Sequence, residues 1–99
     1  MTFDLSEKLI IDIGRIALRY NISKVILFGS RARGNNKPMS DIDLAVFPQA
    51  DFEKWGSFSS EIDDLETLLK IDTVIINENT DPKLLANINQ EGVIIYEQS

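Results

Sequence analysis

Two residue types with versatile chemistry are missing from this 99-residue chain, which contains no cysteine and no histidine. Without cysteine there is neither a disulfide framework nor a thiol-based metal site. Without histidine there is no imidazole to act as a general base or as a metal ligand. A metal bound by this chain would therefore be held by oxygen ligands, and such a ligand set suits magnesium or manganese.

Long hydrophobic runs are missing as well. The sequence has no apolar stretch of about 18 residues, so it predicts no transmembrane span. The first residues, Met1 to Asp4, lack the basic start and apolar core of a signal peptide. We therefore expect a cytoplasmic protein. Hydrophobic residues still make up 43% of the chain, which favours a globular fold over disorder.

Positive charge is scarce. The chain has 16 acidic and 10 basic residues, a net charge of −6, whereas proteins that grip a nucleic-acid backbone usually present a basic face. The basic cluster formed by Arg31, Arg33 and Lys37 is sufficient for one triphosphate and insufficient for a duplex. The charge balance therefore disfavours a nucleic-acid polymer as the partner.

The hydrophobic pattern alternates between helical and strand periods along the chain. It predicts a single domain over residues 1–99, an α/β sandwich in the order αβαβαβαβ. The link between the first two strands is too short for a parallel crossover, so we expect a mixed sheet. The predicted elements are a helix over 4–20, a strand over 24–28, a short helix over 30–33, a strand over 41–47, a helix from Trp55 through Leu65, Leu68 and Leu69, a strand over 71–76, a helix from Pro82 that ends at Gly92, and a strand over 93–96.

A glycine turn follows the first predicted strand. Gly29 lets the backbone leave the strand sharply, without a side chain to block a ligand. Ser30 then offers a hydroxyl, and nearby backbone N–H groups can bind anionic oxygens. The sequence matches neither a Walker A loop nor a dinucleotide-binding fingerprint. Taken alone, Gly-Ser favours the alternative, an ordinary strand-to-helix turn that serine caps.

Three carboxylates lie at the starts of the next two predicted strands. Asp41 and Asp43 are two residues apart, so on a strand their side chains point to the same side. A cation between them would relieve their mutual repulsion. Asp72 opens an otherwise apolar strand, where an acid is costly to bury without a partner. Exposed aspartates at strand ends are the alternative; three converging acids could instead hold two metals about 3.5–4 Å apart.

These motifs together resemble the minimal nucleotidyltransferases of the DNA polymerase β superfamily, and the resemblance covers nearly the whole chain. It rests on Gly29-Ser30, Gly34, the Ser-Asp-x-Asp pattern that begins at Ser40, and Asp72. It implies the nucleotidyltransferase fold and transfer of a nucleoside monophosphate, AMP from ATP or its equivalent from another triphosphate. Two ions, Mg²⁺ or Mn²⁺, would assist the reaction.

The resemblance also implies a role for each residue of the motif. Gly29 and Ser30 would cradle the β- and γ-phosphates. Arg33 or Arg31 would add positive charge, and Ser40 belongs to the same nucleotide-binding set. Catalysis and metal binding would fall to the three acids already described, of which the third would also lower the pKa of the attacking hydroxyl.

The acceptor is not encoded in an obvious second region. The resemblance implies a separately encoded helical partner of the HEPN type, modified by the nucleotidyltransferase in an antitoxin-like role. Two alternatives stay open. The chain could be a non-catalytic module that neutralises its partner by contact, or a transferase for a small antibiotic-like acceptor. The three intact acids argue against the first alternative, and the absence of an acceptor domain argues against the second.

Overall fold

The computed structural model describes residues 3–49 and 52–98, in which helices and strands alternate along the chain. The order αβαβαβαβ is the one that the periodicity predicts. The elements are α1 (Glu7–Arg19), β1 (Lys24–Phe28), α2 (Ser30–Arg33), β2 (Ile42–Phe47), α3 (Trp55–Asp63), β3 (Ile71–Ile75), α4 (Pro82–Glu91) and β4 (Val93–Glu97).

The strands form one mixed sheet in the order β3-β2-β1-β4. β1 runs antiparallel to both of its neighbours, whereas β2 and β3 are parallel. This confirms the expected mixed sheet. Only 13 residues separate β1 from β2, and α2 within this link is one short turn, so the link is too short for a parallel crossover. The end of β1 and the starts of β2 and β3 consequently lie at the same edge of the sheet.

Helices cover both faces of the sheet, because the strand residues alternate between two hydrophobic clusters. Val25 and Leu27 pack on the face that α1 and α3 cover, which we call the α1/α3 face. Ile26 and Ala45 pack with Ile88 of α4 on the opposite face, the α4 face. The two faces carry different residues of the same strands, so strand register fixes which side chains meet at each one.

The first helix is shorter than the expected span of 4–20. Ser6 accepts a hydrogen bond from Leu9 N, and this cap places the helix start at Glu7. Tyr20 caps the other end, and Asn21 follows in a left-handed conformation with φ +56°. Gly14 in the middle of α1 has a close neighbour, because a Cβ there would lie 3.4 Å from Cδ1 of the Tyr96 ring.

The prediction that the third helix continues through Leu69 was wrong. The helix ends at Asp63, and the next residues form successive turns in which Thr67 Oγ1 accepts from Leu69 N. Such local side-chain hydrogen bonds compete with the helical ladder. Leu65 and Leu69 still pack against the core, whereas Leu68 is 94% exposed. The turns bring Lys70 O to the amide of Ile42, at the start of β2.

No helix formed by residues 3–49 and 52–98 has the length and apolar character needed to cross a membrane. The longest, α1, has 13 residues, while a membrane-spanning helix needs about 20.

Gly56 in α3 gives a stability prediction. A Cβ at this position would meet no atom within 4 Å, and glycine in a helix costs conformational entropy. Gly56→Ala should therefore raise the free energy of unfolding by roughly 0.5–1 kcal/mol. Urea unfolding of both proteins measures the change; a lower midpoint for the variant would show that the first turn of α3 resists the added methyl group.

Candidate active site

The glycine turn lies directly against one of the predicted acids. Gly29 follows β1 with φ +79° and ψ −158°, a combination that is open almost exclusively to glycine. A Cβ at this position would lie 2.5 Å from Asp43 Oδ2. Glycine is thus required here for two reasons, the backbone conformation and the approach of the Asp43 carboxylate.

Two of the three predicted acids are neighbours across the parallel strands. Asp43 in β2 and Asp72 in β3 are register partners, so strand pleating puts both side chains on one face. That face is the α4 face, because Ala45 and Val74, two residues farther along each strand, pack in the α4 cluster. Asp41 is exposed and lies immediately before β2.

The electrostatics of Asp43 link the three acids. Burial raises the pKa of the Asp43 carboxyl, and the negative charges of Asp72 and then Asp41 raise it further. Arg33 acts in the opposite direction and lowers this pKa. Asp43 therefore experiences both other acids and one arginine as charged neighbours. The ionised form of Asp43 is disfavoured here, a situation that a bound cation would reverse.

Arg33 and Arg31 occupy different surroundings although they share one turn of helix. Arg33 is exposed and forms an ion pair with Glu91 at the end of α4, with 2.8 Å between Nη1 and Oε2. Arg31 is 4% exposed, and its guanidinium donates to the carbonyl oxygens of Pro38 and Ser40. Arg33 is thus the arginine whose side chain reaches solvent beside the acids.

Ser40 organises the loop that leads into β2. Its hydroxyl accepts from the backbone N–H of Lys37, and its own N–H donates to Lys37 O. Ser40 O also accepts from Arg31 Nε at 3.0 Å. The hydroxyl that the sequence places in the nucleotide-binding set is therefore engaged in a turn within the loop.

Two charged residues near the predicted site residues escape sequence reasoning. Lys70 Nζ lies 3.4 Å from Asp72 Oδ1, and Glu91 pairs with Arg33. Lys70 is two positions before Asp72, a weak local signal. Glu91 gives no signal, because its meeting with Arg33 depends on how α4 packs across the sheet.

Asp41, Asp43 and Asp72 influence one another electrostatically, but their side chains are not arranged as a metal-binding site. Throughout the two described ranges, no group of three or more histidine, cysteine, aspartate or glutamate side chains is arranged to hold a metal ion. A polar cleft of about 470 Å³ adjoins Asp72 and is also lined by Ser59, Asp63, Lys70 and Thr73. A larger cleft of about 750 Å³, beside Tyr20 and Phe52, contains none of the predicted site residues.

Comparison with known proteins bears on the whole arrangement. A family model described as "Polymerase beta, Nucleotidyltransferase" matches residues 12–99. A sequence comparison with curated proteins gives no match.

Solved structures share the fold at low sequence identity. A toxin–antitoxin structure with AMP-PNP matches 96% of this chain and 76% of its own, with 21% identity and a TM-score of 0.66. A mutant of the toxin–antitoxin MntA-HpeT matches 97% of this chain and 76% of its own, with 20% identity and a TM-score of 0.69. A Sulfolobus solfataricus protein described as a nucleotidyltransferase matches 92% and 79%, with 20% identity and a TM-score of 0.60.

Proposed function

This chain belongs to the polymerase β family of nucleotidyltransferases, and from that premise we propose that it transfers AMP from ATP to a hydroxyl on a partner protein. The observation that carries the proposal is the approach of Asp43 to Gly29, with Asp72 beside it in the sheet. The missing Cβ at Gly29 thereby makes room for the Asp43 carboxylate, whose ionised form is disfavoured by burial and by the negative charges of Asp72 and Asp41. Such a combination suits a nucleoside triphosphate accompanied by divalent cations.

The residues present fit a divalent metal. Their ligand atoms are carboxylate oxygens, which magnesium and manganese prefer. Burial, and then the negative charges of Asp72 and Asp41, raise the pKa of Asp43, and a divalent cation would offset those charges. We assign Asp41, Asp43 and Asp72 as the residues that would hold two ions, Mg²⁺ or Mn²⁺. When bound, such ions neutralise charge on the triphosphate and favour ionisation of the attacking hydroxyl.

The protein's own groups would bind the triphosphate on the side of the glycine turn. Gly29 brings no side chain to this turn, and Ser30 is the first residue of α2. Arg33 supplies the nearby positive charge, after leaving Glu91 for a phosphate oxygen. We assign the β- and γ-phosphates to this turn, so that the α-phosphorus faces the acids.

The proposed reaction is a single displacement at that phosphorus. The acceptor oxygen forms a bond to the α-phosphorus, the bond to the bridging oxygen breaks, and pyrophosphate leaves. The proton of the acceptor hydroxyl passes to the carboxylate of Asp72, which borders the polar cleft and is 41% exposed. Lys70 Nζ lies 3.4 Å from Oδ1 of this carboxylate.

The choice of a protein acceptor is supported by the kind of structure in which the same fold is found. Two of the compared structures are described as toxin–antitoxin structures, and each contains a chain with the same fold. We propose a helical partner of the HEPN type for this chain, modified by it in an antitoxin-like role. We further propose that residues 1–99 act as one domain in the cytoplasm, where nucleoside triphosphates are plentiful.

Incubation with labelled nucleotides tests the proposal. The purified chain and the product of its neighbouring gene are incubated with Mg²⁺ and each of the four α-labelled nucleoside triphosphates, beside an Asp41→Asn/Asp43→Asn control. Label on the partner from ATP, absent in the control, is the expected result. A stable complex that acquires no label from any nucleotide would identify a module that acts by contact, and the proposal would be abandoned.

Ser30→Ala tests the phosphate-binding assignment. Loss of one hydroxyl that donates to a charged phosphate removes about 1.5–3 kcal/mol, so KM for the nucleotide should rise by roughly ten- to a hundredfold. Thermal unfolding should change little, because Ser30 is only half-buried. Ser60→Ala, at an exposed position of α3, is the matched control. An unchanged KM in Ser30→Ala would remove Ser30 from the binding site.

A further inference from the structure

The Arg31 side chain joins α2 to two other segments, the N-terminal segment at Asp4 and the loop that leads into β2. Its Nε donates to Ser40 O at 3.0 Å, and its Nη2 donates to Pro38 O at 2.8 Å. Its Nη1 donates to both the carbonyl and the carboxylate of Asp4, each at 3.2 Å. Every nitrogen of the guanidinium is therefore engaged, and the side chain is almost completely buried.

A buried guanidinium is stable only when its charge and its donors are matched. The carboxylate of Asp4 supplies the charge, and three backbone carbonyls accept the remaining hydrogen bonds. The contact is reciprocal, because Asp4 N donates to Arg31 O at 2.8 Å. Asn36 Nδ2 also donates to the Asp4 carboxylate. The N-terminal segment is thus fastened to α2 and to the following loop at one point.

The two loop carbonyls that Arg31 holds belong to the residues just before Asp41. The loop has no sheet hydrogen bonds before Ile42, the first residue of β2. The planar fork of a guanidinium fixes the distance and the direction of the carbonyls it binds, which a single ammonium group does not. The path of the backbone into Asp41 therefore depends on Arg31.

We propose that Arg31 is a positioning residue for Asp41, anchored by Asp4 of the N-terminal segment. The inference rests on the proposed function for the role of Asp41, and it replaces direct phosphate binding by Arg31. Asp4 lies before residue 12, the first residue that the family model matches.

Four variants of the full chain separate positioning from other roles. Arg31→Gln removes the charge and the fork, Arg31→Lys keeps the charge alone, and Asp4→Ala removes the anchoring carboxylate. Arg15→Gln, at an exposed arginine of α1, is the matched control. The readouts are amide hydrogen exchange over residues 37–41, thermal unfolding, and kcat and KM for ATP measured by pyrophosphate release.

We expect exchange over 37–41 to accelerate about tenfold or more in Arg31→Gln, while β1 is unaffected. The kcat should fall by about ten- to a hundredfold, as for other small misplacements of reacting groups, with KM for ATP nearly unchanged. Arg31→Lys should restore much of the thermal stability without restoring kcat. Asp4→Ala should show smaller changes in the same direction, and Arg15→Gln none.

Several results would overturn the inference. A raised KM with an unchanged kcat would mean that Arg31 contacts the phosphates. Full recovery of kcat in Arg31→Lys would mean that only the charge matters. Should Arg31→Gln fail to fold, Arg31→Lys and Asp4→Ala carry the same comparison. If neither the wild-type chain nor any variant releases pyrophosphate, the proposed function fails. Amide exchange over 37–41, accelerated or unchanged in the variants, then still decides whether Arg31 and Asp4 hold the loop.

Discussion

Replacing Asp43 with asparagine should reduce nucleotidyl transfer by about a thousandfold or more and, in the same protein, raise the thermal stability measured without metal. The loss follows because a neutral amide would replace a carboxylate that we assign to the divalent cations, and such charge stabilisation amounts to several kcal/mol. The gain follows because the ionised Asp43 is disfavoured in the folded chain by burial and by Asp72 and Asp41.

The sign of the stability change depends on pH. The folded-state pKa of Asp43 is raised above its unfolded value, so the folded chain binds the proton more tightly. Stability contributed by the protonated form is present at low pH and decreases as pH rises from the unfolded pKa through the folded one. At neutral pH the carboxylate is a net cost. The amide of Asp43→Asn carries no charge, so the variant lacks this decrease.

Thermal unfolding of both proteins in a metal chelator, at neutral pH and near pH 4, measures the effect. The difference in melting temperature should be positive at neutral pH and should shrink at the lower pH. Asp12→Asn on α1 is the control, since α1 covers the opposite face of the sheet; its activity should stay at the wild-type level. Full activity in Asp43→Asn would show that this carboxylate is not required.

Gly29→Ala is the second change with a large expected effect. The added Cβ would lie 2.5 Å from Asp43 Oδ2, in a backbone conformation that costs a non-glycine residue on the order of 1–3 kcal/mol. The turn or the carboxylate must move, and either movement separates the phosphate site from the acids. We expect transfer to fall about a hundredfold or more, with a lower free energy of unfolding.

Two further variants show whether the collision with Asp43 is the cause. Gly56→Ala adds a methyl group where nothing lies within 4 Å, so it should retain activity. Asp43→Ala removes the carboxylate that the new Cβ meets, so Gly29→Ala should destabilise that background less than it destabilises the wild-type chain. Equal destabilisation in both backgrounds would attribute the whole effect to backbone strain.

Much of the fold was predictable because local signals agree with the packing. The alternation of helical and strand periods predicts the element order. The short link after Gly29 argues against a parallel crossover and so predicts a mixed sheet, in which β1 and β2 are found to pair antiparallel. The end of α3 was not predictable in this way. Leu65, Leu68 and Leu69 continue a helical spacing, but the hydroxyl of Thr67 and the contact of Lys70 with β2 depend on local and tertiary geometry.

The candidate site likewise has features that the sequence predicts and features that depend on tertiary packing. The sequence shows acids at the starts of two predicted strands. Because the starts of adjacent parallel strands lie at the same edge of the sheet, it also predicts that these side chains meet. The difference between Arg31 and Arg33 is not visible, since both belong to one basic turn. Only packing shows that Arg31 is buried among carbonyls while Arg33 is exposed and reaches Glu91. Which residues bind nucleotide stays a prediction.

The most direct test of the central claim follows two labels in parallel. The chain, the product of its neighbouring gene and Mg²⁺ are incubated with ATP labelled at either the α- or the γ-phosphorus, beside the Asp41→Asn/Asp43→Asn protein. We expect α-label on the partner, whereas γ-label should be released as pyrophosphate. Transfer of γ-label to protein would identify a phosphoryl transferase and would contradict nucleotidyl transfer. α-Label that persists in the double variant would contradict the role assigned to Asp41 and Asp43.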